Sequence, residues 1–320
     1  MRVVWCVLLC LLLSSCGWGG GARLVPPPSV PDGISIATGS PQGPYYSIGT
    51  GLMKIYERDL AGGVATSVQS TDGTVENLEL LRAGKVEMAL AMADTASFYL
   101  GGPSTDLRAM AALYSNHVQI VTLQGSPIHR VEDLRGKKVG VGAPNSGVEA
   151  NSRSLLNAYG IQYEDFEPHY LSYAEAMEQL RQRTIDAAFV TSGLPNPTVL
   201  EMLPANGHGV RMIPIPMEEA ERLAEGYPFF RPSEIPAGMY HNEAAIPTVS
   251  IQNMMLVRQD LPEEKVYDLT RVLFENLEEL SDYHEAAKDI QLERAWANLP
   301  VPYHPGAERF FRERGVVWGE

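Results

Sequence analysis

The stretch that decides the fold is Gly33-Ile34-Ser35-Ile36-Ala37-Thr38-Gly39, followed by Ser40-Pro41-Gln42-Gly43-Pro44-Tyr45-Tyr46. Its first half alternates apolar and small polar residues and ends in glycine, which predicts a short β-strand. Pro44 then opens a helix that runs to about Leu60, because the first helical turn tolerates the missing proline N–H. A strand, a Gly-rich corner and a helix in this order are typical of an α/β protein.

The same alternation continues along the chain. Strands are predicted at residues 64–69, 88–92, 108–113 and 117–123, and helices at residues 75–82 and from Asp94, which we expect to be an N-cap. The pattern then restarts with a strand at 139–142, the loop Ala143-Pro144-Asn145-Ser146-Gly147 and a helix at 148–159. A helix at 173–183 and a strand at 185–190 lead to the turn Thr191-Ser192-Gly193, and helices at 261–284 and 285–296 are predicted near the end of the chain.

This order predicts a two-lobed α/β fold in which each lobe is a doubly wound, mostly parallel sheet with helices on both faces. The first unit alone is small for such a sheet. We therefore expect the chain to cross near residues 118–123 and to return through 249–257. The first lobe would comprise residues 33–120 and 248–320, and the second 121–247. A ligand cleft would lie between the lobes, at the carboxyl ends of the strands.

The N-terminus predicts export and anchoring. Residues 3–13 are an apolar run after Arg2, too short for a membrane span of ~20 residues but typical of a secretory signal. Small residues precede Cys16, which resembles a bacterial lipobox, so residues 1–16 are predicted as a lipoprotein signal peptide with Cys16 as the lipid anchor. An ordinary signal peptide with an incidental cysteine is the alternative. Residues 17–32 are rich in Gly and Pro and predict a tether.

Composition excludes several classes of protein. The chain has 39 Asp and Glu against 25 Lys and Arg, which argues against a nucleic-acid binder. Its three cysteines all lie in the first sixteen residues, so no disulfide scaffold or cysteine-ligated metal is expected in the body. No G-x-S-x-G, H-E-x-x-H or Walker sequence is present, and we expect no enzyme activity, cofactor or metal.

Several segments resemble motifs of the TAXI family, the extracytoplasmic receptors associated with TRAP transporters. They are Thr38-Gly39-Ser40-Pro41-Gln42-Gly43-Pro44-Tyr45-Tyr46, Ser70-Thr71-Asp72-Gly73-Thr74-Val75-Glu76-Asn77-Leu78, Val141-Gly142-Ala143-Pro144-Asn145-Ser146-Gly147-Val148-Glu149, Ile185-Asp186-Ala187-Ala188-Phe189, Thr270-Arg271-Val272-Leu273-Phe274-Glu275-Asn276 and His304-Pro305-Gly306-Ala307. The resemblance implies a periplasmic binding protein of type II topology that delivers a small organic anion to a sodium-driven permease. A sensory role and service to an ABC importer remain alternatives.

Helix N-termini suit such a ligand, because their free N–H groups and dipoles favour a carboxylate. The predicted ligand-binding residues lie at or near these corners: Ser40, Tyr45, Tyr46, Ser70, Thr71, Asn77, Met92, Ser146, Gly147, Val148, Glu149, Ser192 and Gly193. Two positions depart from the family pattern and leave the ligand open. Met92 stands where glutamine is common, and Pro44 stands where threonine is usual.

For some of these residues a structural role competes with ligand binding. One of Tyr45 and Tyr46 is expected to pack into its own lobe. Ser70 and Thr71 are equally well read as helix caps, and Asn77 as a bridge between loops. Arg153 could pair with an acidic ligand, but a salt bridge to a surface acid is the stronger expectation.

Overall fold

The structure is a computed structural model, and it describes residues 33–102, 106–203 and 209–319. The predicted signal peptide, the anchor at Cys16 and the predicted tether at 17–32 therefore lie outside the described residues. No described helix is long and apolar enough to cross a membrane.

The described residues form ten strands and ten α-helices. The strands are β1 (Ile34–Ala37), β2 (Thr66–Gln69), β3 (Met88–Met92), β4 (Leu107–Leu123), β5 (Lys138–Gly142), β6 (Glu167–Tyr170), β7 (Ala187–Ser192), β8 (Val210–Ile213), β9 (Arg231–Ile235) and β10 (Ile246–Arg258). The helices are α1 (Pro44–Asp59), α2 (Thr74–Arg82), α3 (Ala93–Leu100), α4 (Gly147–Ala158), α5 (Tyr173–Arg181), α6 (Pro197–Leu200), α7 (Met217–Gly226), α8 (Glu263–Glu275), α9 (Leu277–Ser281) and α10 (Pro305–Glu313).

The strands join in the order β2-β1-β3-β10-β4-β7-β5-β6, with β8 on β4 and β9 on β10. β2, β1 and β3 are parallel to each other and make the first parallel half, and β7, β5 and β6 make the second. The antiparallel pair β4 and β10 connects them. The predicted α/β fold with mostly parallel strands is confirmed, and the two halves share one hydrogen-bonded sheet.

The long strands β4 and β10 are irregular where they meet the two halves. Their register shifts between Gln252 and Met254 and again between Met255 and Leu256. The Gln252 amide donates to the Leu113 carbonyl at 2.6 Å, which satisfies a backbone group that the shift leaves out of the ladder. Such bulges bend a strand and redirect its side chains. Here the shift falls at Asn253, beside the cleft described below.

The hydrophobic core is divided. One cluster joins apolar residues of β1, β3, α1, α2, α8 and α10, and it includes Tyr56 and Phe311. Separate clusters lie on the second half, around Val139 and Leu155 and around Met177 and Val190. The cluster around Val139 also includes Met92 and Ile251, so the predicted lobes at 33–120 with 248–320 and at 121–247 remain a prediction.

Several local predictions need correction. Asp94 is not an N-cap: Met92 occupies that position, and Asp94 lies inside the first turn of α3. The two strands predicted at 108–113 and 117–123 are one strand, β4. The helix predicted at 285–296 is two short 3-10 turns, at Glu285–Asp289 and Leu292–Arg294. The backbone of this segment is hydrogen-bonded to strand β4 instead, since the Ala112 amide donates to the Ala295 carbonyl at 2.9 Å.

Candidate functional site

A cleft lies between the two parallel halves at the carboxyl ends of β1, β3, β5 and β7. Its cavity volume is about 70 Å³. The residues that line it are Gly39, Ser40, Gly43, Pro44, Tyr45, Asp72, Gly73, Thr74, Met92, Asn116, Ala143, Ser146, Gly147, Val148, Leu171, Ser172, Tyr173 and Ser192.

Four helices start at this cleft. α1 and α2 have glycine N-caps, Gly43 and Gly73, and no side chain caps either helix. α4 and α5 are capped by Ser146 and Ser172, whose hydroxyls accept from the backbone three residues on. The first N–H groups of each helix have no intrahelical partner. The cleft therefore receives the positive ends of several helix dipoles from both halves.

The N-termini of α2 and α4 face each other across the cleft. Gly73 has φ of 120°, a conformation that favours glycine. A Cβ built on Gly73 would lie 3.8 Å from the Ser146 Cα and 3.9 Å from the Gly147 amide nitrogen. A methyl group at position 73 would therefore just contact the N-terminus of α4.

Gly147 allows a second close approach. A Cβ on Gly147 would overlap the Met92 Cε and lie 2.9 Å from the Thr74 hydroxyl oxygen. The same Thr74 hydroxyl accepts from the Met92 amide at 3.1 Å, so it fixes the end of β3 against α2. The absent side chain at position 147 is what lets α4 dock on Met92 and Thr74.

The Tyr45 hydroxyl is buried at the floor of the cleft. It donates to Asn253 Oδ1 at 2.5 Å, and its ring meets the Tyr114 ring edge-on with centroids 6.5 Å apart. Burial raises the pKa of Tyr45 well above its ordinary value, and the nearby Tyr173 raises it further. Tyr45 is therefore a neutral hydrogen-bonding group at physiological pH.

A buried acid joins the two halves beside the cleft. The Asn151 amide of α4 donates to Asp94 Oδ2 of α3 at 3.0 Å, and it also lies 3.6 Å from the Met92 sulfur. The Thr95 hydroxyl donates to the other Asp94 oxygen at 3.1 Å. Burial raises the pKa of Asp94, and these hydrogen bonds oppose the shift.

Seven of the predicted binding residues line the cleft: Ser40, Tyr45, Met92, Ser146, Gly147, Val148 and Ser192. The structure thus brings together predicted residues from the segments 40–46, 146–149 and 191–193 with Met92, whereas the segment 70–74 contributes Asp72, Gly73 and Thr74 in place of the predicted Ser70 and Thr71. Tyr46 is half-buried on α1 and is not among the lining residues, so of the two tyrosines it is Tyr45 that reaches the cleft. Ser192 accepts from Gln119 and Asn196, each at 3.0 Å.

The other predicted residues support the corners from outside the lining. The Asn77 amide donates to the Thr38 and Leu90 carbonyls at 2.6 and 2.7 Å, and its oxygen accepts from Thr71 at 2.6 Å. Asn77 is therefore a bridge between loops. The exposed Ser70 donates to the Gly39 carbonyl at 3.0 Å.

Glu149 and Gly193 also lie outside the lining. Glu149 pairs with Arg153 at 2.6 Å, and the Arg153 guanidinium lies 3.8 Å from the centre of the Tyr163 ring. The expected surface salt bridge of Arg153 is what the structure contains. A Cβ on Gly193 would lie 2.7 Å from both Ala286 and Tyr114, so close packing requires glycine there.

Sequence reasoning missed Asn116 and Tyr173. Asn116 is a buried polar residue within the apolar strand β4. A polar residue that interrupts an apolar strand is a feature of the sequence that could have identified it. Tyr173 is the first residue of α5, and its hydroxyl donates to the Thr191 carbonyl at 2.7 Å. The capping box from Ser172 to Glu175 marks that helix start in the sequence.

The electrostatics of the lining are unusual for an anion site. Among the described residues that line the cleft, Asp72 is the one acidic residue and none is Lys, Arg or His. In the described part of the chain, no group of three or more His, Cys, Asp or Glu side chains could hold a metal ion. The polar groups available to a ligand are hydroxyls, amides and backbone N–H groups.

Comparison with known proteins places the chain in a family. The model of the NMT1-like family matches residues 36–315, nearly the whole described body. The chain belongs to the NMT1-like family. This match spans β1 to α10, so it includes both parallel halves and every corner of the cleft.

Solved structures of similar fold include periplasmic binding proteins. One is the periplasmic aliphatic sulphonate binding protein SsuA from Escherichia coli, with 17% identity, 89% of this chain and 94% of that chain covered, and a TM-score of 0.50. Another is a putative L-cystine ABC transporter from Listeria monocytogenes, with 14% identity, 81% and 98% covered, and a TM-score of 0.54. A protein from Bordetella bronchiseptica RB50 has 17% identity, 80% and 77% covered, and a TM-score of 0.54. This member of the NMT1-like family therefore has the fold of two-lobed periplasmic binding proteins.

Proposed function

We propose that this NMT1-like protein is an extracytoplasmic solute-binding receptor and has no enzymatic activity. It captures a small organic anion in the cleft, by closure of the two lobes, and delivers it to a membrane permease. The observation that carries the proposal is the convergence of four helix N-termini, from both halves of the sheet, on one cleft. Such N-termini bind carboxylates through backbone N–H groups and helix dipoles.

The partner that we propose is a sodium-driven TRAP permease with small and large subunits, fused or separate. The TAXI-like segments at 38–46 and 141–149 support this choice, since both form corners of the cleft. The second candidate is an ABC importer, because one structure of similar fold is described as a putative L-cystine ABC transporter. Measurement of ligand uptake by cells that carry the protein and its permease distinguishes the two candidates. With a TRAP permease, uptake should stop when sodium is removed. With an ABC importer, it should stop when ATP is depleted. A sensory protein would support no uptake.

Binding is tested by a thermal-shift screen of monocarboxylates, dicarboxylates, keto acids and amino acids. A ligand that binds only the folded protein raises the melting midpoint by mass action. We expect at least one of these four ligand classes to raise the melting midpoint. A flat response across all four classes would contradict the proposal.

We place the protein in the periplasm, anchored to a bacterial membrane by a lipid on Cys16. The apolar run at 3–13, the small residues before Cys16 and the tether at 17–32 support this placement. Globomycin should leave an unprocessed, larger precursor, and Cys16→Ser should release the protein from the membrane fraction. A precursor whose size does not respond to globomycin would contradict lipidation.

A further inference from the structure

The connecting strands β4 and β10 place neutral amide side chains at the cleft and directly behind it. Asn116 of β4 lines the cleft with 3% of its surface exposed, and its side-chain oxygen has no hydrogen-bond partner. Asn253 of β10 is fully buried, and its amide nitrogen is also unpartnered while its oxygen accepts from Tyr45. Buried polar groups are nearly always paired, so unpartnered ones at a cleft indicate contact with a ligand.

The charges near this cleft are negative. Asp72 lies in the lining, and the buried Asp94 lies close enough to raise the pKa of Tyr45. The Arg153 guanidinium is held outside by Glu149 and Tyr163. Burial of a carboxylate without a cationic or hydrogen-bonding partner is strongly unfavourable. The facing N-termini of α2 and α4 can satisfy one carboxylate. A second carboxylate placed at Asn116 would face the unpartnered side-chain oxygen of that residue, which accepts hydrogen bonds and cannot donate one to it.

We infer that the ligand carries a single negative charge and a neutral hydrogen-bonding end, an amide or hydroxyl group, which donates to the Asn116 side-chain oxygen on β4. The carboxylate lies at Gly73 and Gly147, where α2 and α4 begin. The apolar walls formed by Pro44, Met92 and Leu171 cover the chain between the two ends. This inference rests on the proposed function and narrows it, because it excludes dicarboxylates as preferred ligands.

The test compares acids with their amide partners, which match in size and differ in one charge. The probes are succinate and succinamate, glutarate and glutaramate, and adipate and adipamate, titrated calorimetrically into the purified protein. We expect the amide member of the best-binding pair to bind at least tenfold more tightly than its acid. Equal or tighter binding of the acid would overturn this inference and leave the proposed function intact. Absence of binding by every probe, together with a flat screen of all organic anions, would overturn both.

Asn116→Asp provides a second readout. A carboxylate at position 116 accepts from an amide end as asparagine does, but it repels an acid end, so the preference for the amide partner should widen at least tenfold further. Asn157→Asp adds the same charge at an exposed position of α4 and should leave the preference unchanged. A merely structural role of Asn116 would weaken both partners equally, and an unchanged preference in the Asn116→Asp protein would overturn the inference.

Discussion

Asn151 of α4 donates a hydrogen bond to the buried carboxyl of Asp94 at 3.0 Å, and this contact joins the two parallel halves beside the cleft. Asp94 is 5% exposed and Asn151 is fully buried. Lobe opening would break the bond and return Asp94 to water. The groups that face Asp94 are Asn151 from α4, Thr95 from its own helix and the Tyr45 hydroxyl from α1, and none of them is a cation.

Ligand affinity should therefore depend on the protonation of Asp94. Burial raises the pKa of this carboxyl in the closed form, so the closed form holds the proton more tightly than the open form. Lower pH then favours closure, and affinity should increase as the pH falls from neutrality toward the ordinary pKa of an aspartate carboxyl. Calorimetric titration across this range checks the slope.

Asp94→Asn should flatten that pH dependence, because asparagine keeps the shape and cannot titrate. Asp282→Asn makes the same change at an exposed site and should keep the wild-type slope. An Asp94→Asn protein with the wild-type slope would show that another group controls closure.

Gly147→Ala should weaken ligand binding by obstructing closure. The added methyl group would overlap the Met92 Cε and press on Thr74, so the halves could not approach as they do here. Overpacking of this kind costs about 1–3 kcal/mol, which corresponds to roughly 5- to 150-fold in affinity. Gly226→Ala is the matched control, because a Cβ there meets nothing within 4 Å. The double variant with Met92→Ala should regain part of the affinity. Normal binding by Gly147→Ala alone would refute this account of closure.

Tyr45→Phe should lower stability as well as affinity. It removes the hydroxyl that donates to Asn253 at 2.5 Å and leaves a buried amide oxygen unpaired. Loss of one partner of a buried pair costs about 1–3 kcal/mol. Tyr46→Phe, on the same helix but outside the cleft lining, should change either quantity little. Chemical denaturation of both variants measures the difference, and equal losses would mean that Tyr45 has no special role.

His117 should make the protein less stable in mild acid. Burial lowers the pKa of this imidazole to about 4, below its ordinary value of about 6.5. As the pH falls from about 6.5 to about 4, His117 binds a proton in the unfolded chain but not in the folded protein. The free energy of unfolding therefore falls. His117→Gln should reduce this dependence in thermal melts across the same range. A variant that loses stability in acid as steeply as wild type would assign the effect elsewhere.

Much of the fold could be predicted because the hydrophobic periodicity of a segment and the proline and glycine residues at its ends indicate the same element. Pro44 at a helix start, the apolar run Met88–Met92 and the loop before Gly147 each give a local pattern that tertiary packing did not override. The helix predicted at 285–296 failed for a tertiary reason. Its apolar spacing is helical, but Ala295 pairs with β4, and a non-local hydrogen bond of this kind leaves no trace in the sequence.

The site could be predicted in part for the same reason. Corners at helix N-termini follow from local sequence, which is why Ser40, Ser146 and Gly147 were found. Asn116 and Asp94 could not be assigned, because their role depends on which strand or helix lies opposite. Asn151 is 57 residues from Asp94 in the chain, and only the folded sheet brings the two together.

The central claim is that one small organic anion binds in the cleft between the halves and requires their close approach at Gly147. Native mass spectrometry of the wild-type and Gly147→Ala proteins, after incubation with a pool of small organic acids, tests it most directly. We predict a single non-covalent adduct of organic-acid mass on the wild-type protein, lost on denaturation and strongly reduced in Gly147→Ala. A wild-type protein without an adduct, or an adduct held equally by both proteins, would contradict the claim.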